Sequence, residues 1–190
     1  MSGLYPGVLN GSVQATVFDQ TATALPGWPY SATDQNMVDS INVAATNGVN
    51  AGLGVSASYV TSSRPGINAK ACNLPTSAST DANFEGVIVR SQAIRSDSNG
   101  NPIVPMGAQA SIMRRKRLGG RIWVNSVVPC TAGGPVYWLV QDTGASGYPI
   151  GSLVPAAQGA AGIDTVLLTN VVFASTSTAA GQPVLIEMGA

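Results

Sequence analysis

Five of the nine basic residues, Arg114, Arg115, Lys116, Arg117 and Arg121, fall within eight positions. A guanidinium group presents a planar fork of donors that matches a carboxylate or a phosphate, and Trp123 adds the kind of aromatic surface that anchors interfaces. Three chemistries fit such a cluster: docking on an acidic protein surface, gripping a phosphate backbone, or keeping a turn solvated. The formal net charge is zero and the pI about 6.1, whereas a general nucleic-acid binder would be basic overall. The patch is therefore read as local, with no direct nucleic-acid partner.

The acidic side is thinner. Asp34, Asp39, Asp81, Glu85 and Asp142 could meet in space as a glycosidase-like pair, but nine scattered acids give that reading little support. The chain has no histidine, so the commonest general base and the Ser-His-Asp arrangement are unavailable. Gly144-Ala145-Ser146-Gly147 lacks the spacing of a nucleophile elbow, and no phosphate-binding glycine motif is present. Asp97 to Asn101 faintly resembles a calcium loop, yet Ala108 stands where the bidentate Glu belongs. Cys72 and Cys130 are far apart, without a CxxC pair, and are read as buried free thiols. No catalytic site, metal or cofactor is expected.

These residues need a scaffold, and composition restricts what it can be. Charged residues make up 9% of the chain, and 22 Gly and 12 Pro are spread so as to interrupt every long segment. That excludes a helix bundle and leaves an all-β chain with little charge on its surface. Phe84 to Arg90 and Arg121 to Val128 are rich in β-branched and aromatic residues and read as strands. Asn99-Gly100 suits a type I′ hairpin turn, and Gly119-Gly120 reverses the chain after the basic run. Period two places Arg121, Trp123 and Asn125 on one face and Ile122, Val124 and Val128 on the other. Leu53 to Val60, Ile67 to Cys72, Val136 to Val140, Ile163 to Phe173 and Pro183 to Met188 supply further strands, with a Gly-rich loop from Gly144 to Gly162. Thr33 to Ala45 fits a short helix or a strand equally well.

Residues 1–35 differ from the rest. Tyr5, Trp28 and Tyr30 sit beside prolines, which stiffen an extended segment and spoil a core strand. The segment reads as an N-terminal arm that binds a partner, with a loop packed on its own domain as the plainer alternative, and residues 36–190 read as a single β domain. Within the arm, Val13 to Phe18 alternates and could pair as an added strand. No export signal and no membrane span are expected.

The strand Phe84-Glu85-Gly86-Val87-Ile88-Val89-Arg90 resembles one found in the structural cement, or capsid decoration, proteins of tailed bacteriophages. The similarity continues in order through Gly107 to Arg115, Gly120 to Val124, Ala132 to Tyr137 and Ala179 to Gly189. The resemblance implies an all-β, jelly-roll-like sandwich or barrel that binds the outside of a phage head as a homo-oligomer, with a dimer favoured over a trimer. Its partner would be the major capsid protein, and its place the virion exterior after synthesis in the host cytoplasm. The docking residues are not carried over from the family. They are assigned from chemistry as Arg114, Arg115, Lys116, Arg117, Arg121, Trp123, Tyr5, Trp28 and Tyr30. Other classes compatible with the sequence are a virion-associated carbohydrate-binding or carbohydrate-active β protein and a small nucleic-acid-binding barrel.

Overall fold

The computed structural model of the protein describes residues 25–30, 38–61, 68–90, 95–96, 102–115 and 120–189. Five strands close into a barrel: β1 (Val38–Val43), β3 (Gly54–Thr61), β4 (Asn68–Asn73), β5 (Phe84–Val89) and β8 (Gln109–Arg114), in the order β1-β4-β3-β5-β8. Only the β1–β4 pair is parallel, so the barrel is mixed. A second, five-stranded sheet packs against it, built from β9 (Gly120–Asn125), β10 (Pro135–Asp142), β11 (Leu153–Val154), β12 (Ile163–Phe173) and β13 (Pro183–Met188), ordered β11-β10-β12-β13-β9. Short strands β2 (Val49–Asn50), β6 (Arg95–Ser96) and β7 (Pro102–Val104) form a small third sheet. The all-β reading as a sandwich or barrel holds.

Two cores follow from this arrangement. Ile41, Val43, Val55, Cys72, Ile88, Ala110 and Ile112 fill the barrel interior. Phe84, Val87 and Met113 on its outer wall meet Ile122, Val136, Trp138, Phe173, Val184 and Ile186 of the second sheet. Strand β5 lies between the two, which is why all six of its residues are buried, Glu85 included. Phe84 packs edge-on against Trp138 with ring centroids 5.1 Å apart, and Trp138 Nε1 donates to Gly54 O at 3.2 Å, so its one polar atom is satisfied inside the core.

Strict alternation fails in β5 at one point. The register against β3 jumps from Val55↔Gly86 to Ser56↔Phe84, which leaves Glu85 as the extra residue of a β-bulge. The bulge lets Phe84 and Val87, three apart, share the sheet-facing core. It also requires glycine at position 86, because a side chain there would collide with the carbonyl oxygen of Met113 on the neighbouring strand.

Several boundaries shift from the sequence reading. Of the helix-or-strand alternatives for Thr33 to Ala45, the described part is strand β1, in keeping with its Asn, Asp, Ser and Val content. The loop Gly144 to Gly162 contains strand β11, paired with Tyr137 and Trp138. Strands β6 and β7 pair antiparallel on either side of Asn99-Gly100, while the turn itself, like Val13 to Phe18, lies outside the described residues.

Candidate docking surface

The basic run is divided by the period-two geometry of β8. Ala110, Ile112 and Arg114 point to the barrel interior, and Met113 and Arg115 to the opposite side. Arg114 therefore reaches the end of the barrel. Its Nη1 lies 2.9 Å from Glu85 Oε1, and its Nε is 3.2 Å from Asp39 Oδ2, within ion-pair reach but not aligned as a hydrogen bond. Lys70, two residues from the interior Cys72, donates to Glu85 Oε2 at 2.6 Å. Asp39, Lys70, Glu85 and Arg114 thus form a balanced plug, two charges of each sign, closing one end of the barrel. The bulge that displaces Glu85 is what makes this possible, since a regular strand would not deliver a buried carboxylate between two cations. Burial pushes the Cys72 thiol up to about 11, and the nearby Glu85 charge acts in the same direction.

Arg115 goes the other way. Its guanidinium sits 5.6 Å from the Phe84 ring centroid, pairs with the Asp81 carboxylate and donates through Nη2 to Asp81 O at 2.8 Å. Asp81, in a single 3-10 turn, also accepts from Thr169 of β12 through its backbone N–H at 3.1 Å and its hydroxyl at 2.6 Å. Partial burial works against the charge on Asp81, but the hydrogen bonds from Thr169 and Arg115 outweigh it and hold the carboxyl below its ordinary range. This junction fastens the barrel to the second sheet. Both arginines are thus paired within the chain itself.

The remaining predicted residues converge elsewhere. Residues 27–30 lie along the free edge of β9: Pro29 bridges Ile122, Tyr30 N donates to Arg121 O at 2.9 Å, and Trp123 N donates to Trp28 O at 2.9 Å. Pro29 faces Ile122, where a missing N–H removes no ladder bond. Its two neighbours, Trp28 and Tyr30, consequently emerge beside Trp123 and Arg121. Arg121 lies over the Tyr30 ring at 4.4 Å, and the Tyr30 and Trp123 rings are 6.4 Å apart at 50°. Trp28 and Tyr30 remain 44% and 49% exposed, which is unusual for side chains so large and marks a contiguous aromatic face with one guanidinium in it. Tyr5, Lys116 and Arg117 lie outside the described residues. Other exposed apolar side chains, Tyr59, Met106 and Leu167, were not singled out in the sequence, where nothing separates them from core residues of the same type.

A model of the family described as structural cement protein (E217 gp24/Pam3 gp6) matches residues 13–189. The chain belongs to this family. Among solved structures, a chain from the capsid of Myoviridae Phage XM1 matches with a TM-score of 0.52 at 18% identity, over 80% of this chain and 82% of that one, which shows a shared fold. A search of curated proteins gives no match. Among the described residues no group of His, Cys, Asp or Glu is arranged to hold a metal, and Cys72 and Cys130 are free thiols in separate cores.

Proposed function

We propose that this chain is a non-enzymatic decoration protein that binds the outer surface of a phage head as a homo-oligomer, a dimer before a trimer, and bridges neighbouring subunits of the major capsid protein. The family membership carries the structural role. The observation that supports the docking mode is the convergence of Trp28, Tyr30, Arg121 and Trp123 on one sheet edge. Large amphipathic rings supply most of the energy of an interface while a neighbouring arginine supplies orientation and steering. Lys116 and Arg117 add positive charge that an acidic partner would attract, and the N-terminal arm of residues 1–35, which supplies Trp28 and Tyr30, adds a second contact through its earlier residues. Two modest contacts on different subunits then resist separation far better than either alone.

The test uses undecorated heads. Full-length protein should co-sediment with them and raise the temperature at which they rupture, and an image reconstruction should place it outside the shell across a subunit boundary. A Trp28→Ala/Tyr30→Ala double variant should melt like the parent and lose most retention, each anchor being worth about 2 kcal/mol. Unaltered retention would remove this face from the interface. One further reading has an observation behind it: exposed aromatics beside a basic segment also suit single-stranded nucleic acid. Arg114 and Arg115 are occupied by internal carboxylates, which weakens it. Salt-sensitive binding of an oligonucleotide with affinity equal to that for heads would revive it.

A further inference from the structure

A groove of about 740 Å³ runs along the seam where the barrel, the second sheet and the segment at Pro26 meet, and its described lining includes Leu53, Arg90, Asn125, Tyr148 and Ser152. It adjoins the aromatic face, because Asn125 follows Trp123 on the outward side of β9 and Pro26 precedes Trp28. Arg90 is the one charged residue in the described lining. Every other cation whose side chain is described has a partner: Lys70 and Arg114 hold Glu85, Arg115 holds Asp81, and Arg121 lies over Tyr30. The half-buried Arg90 side chain has none among the described residues, and no carboxylate occurs in the described lining. The backbone N–H of Arg90 donates to Gly27 O at 2.7 Å, which anchors the main chain from which this side chain projects.

A half-buried guanidinium with no carboxylate partner among the described residues, set in a groove of mixed polar and apolar lining, suits an anion with a flat pair of oxygens, delivered by something that also fills apolar space. We propose that the groove takes an extended segment of a head subunit carrying an Asp or Glu side chain, which pairs with Arg90 while the adjoining residues of that segment cross the Trp28 and Trp123 face. The inference rests on the docking reading above and adds to it a specific pocket, a peptide-like occupant and the residue that selects for a carboxylate. Tyr148 and Asn125 supply neutral hydrogen-bonding groups along the same wall, and Pro26 and Leu53 the apolar contact.

The experiment measures binding of full-length protein to undecorated heads for the parent and for Arg90→Lys, Arg90→Ala and Arg90→Glu, with thermal melts to verify folding. Loss of a charge-assisted pair predicts about tenfold to a hundredfold weaker binding for Arg90→Ala, more for Arg90→Glu, and an intermediate loss for Arg90→Lys, which keeps the charge but not the fork. Acetate at high concentration should compete with the parent and not with Arg90→Ala. Parent and Arg90→Glu binding equally would overturn the groove inference while leaving the docking reading intact, whereas a parent that ignores heads would overturn both. Competition by inorganic phosphate without competition by acetate at matched ionic strength would also overturn it, since the groove would then select phosphate. If Arg90→Ala and Arg90→Glu fail to fold, the Arg90→Lys result and the acetate competition on the parent decide the matter.

Discussion

Glu85 shows how one side chain can be structural and look functional. It is 7% exposed, and it is the common acceptor of Lys70 and Arg114. Truncating a buried carboxylate leaves its cations uncompensated, which costs roughly 3–5 kcal/mol when all partners are fully buried. Lys70 and Arg114 are partly exposed, so Glu85→Ala should cost about 2–3 kcal/mol in a urea melt, and Glu85→Gln less because it still accepts hydrogen bonds. A Glu85→Ala variant as stable as the parent would show that the plug is ornamental. Gly86→Ala should be worse than either, since the collision is with the backbone of β8 and cannot be relieved by turning a side chain. At the same scale Cys72, with its thiol held up to about 11, should resist alkylation at pH 8 in the folded protein and react on unfolding.

Among the elements, the 3-10 turn at Asp81–Asn83 carries the clearest pH dependence. The Asp81 carboxyl titrates below its unfolded value, so its contribution is complete above about pH 4 and disappears as pH falls through the lower, folded value. Asp142 is shifted the same way, chiefly by hydrogen bonding from Ser146. Stability measured by denaturant should therefore decline on acidification below about pH 4, and Asp81→Ala should flatten that decline. An unchanged profile in the variant would mean that the junction between β8, the turn and β12 contributes nothing. The edge segment at 27–30 makes a separate prediction. Deleting residues 1–24 leaves the pairing to β9 in place, so the truncated protein should melt cooperatively near the parental temperature while its retention on heads falls. An unfolded or aggregated product would assign Val13 to Phe18 to the core.

For the whole molecule, the small number of charges and their internal pairing set the response to salt. Asp39, Asp81 and Glu85 already neutralise Arg114, Lys70 and Arg115 within the chain, which leaves few charges among the described residues to interact with a partner. Association with heads should slow as ionic strength rises, with little change in dissociation, because exposed charges steer encounter and buried rings govern residence. If salt accelerated dissociation instead, the bound state would be held mainly by ion pairs and the aromatic face would be secondary.

The β class, most strand positions and the outward pairing of Arg121 with Trp123 were legible in the residues alone, because turn chemistry and period-two patterning act over a few positions. Strand β13 coincides with Pro183 to Met188, and Trp123 faces the same way as Arg121. The fate of the basic run was not legible. Adjacent arginines on a strand point to opposite faces, but whether either face offers a carboxylate depends on residues 29 to 75 positions away: Asp39 and Glu85 for Arg114, Asp81 for Arg115. Nor could local pattern reveal that Pro29 opposes Ile122 and so turns Trp28 and Tyr30 toward Arg121 and Trp123. Sequence determines which side chains share a face of a strand. Only the closing of the barrel and the seating of an edge segment on β9 decided which of them meet a partner inside the molecule and which are left facing out, since those contacts arise between elements that are distant in the chain.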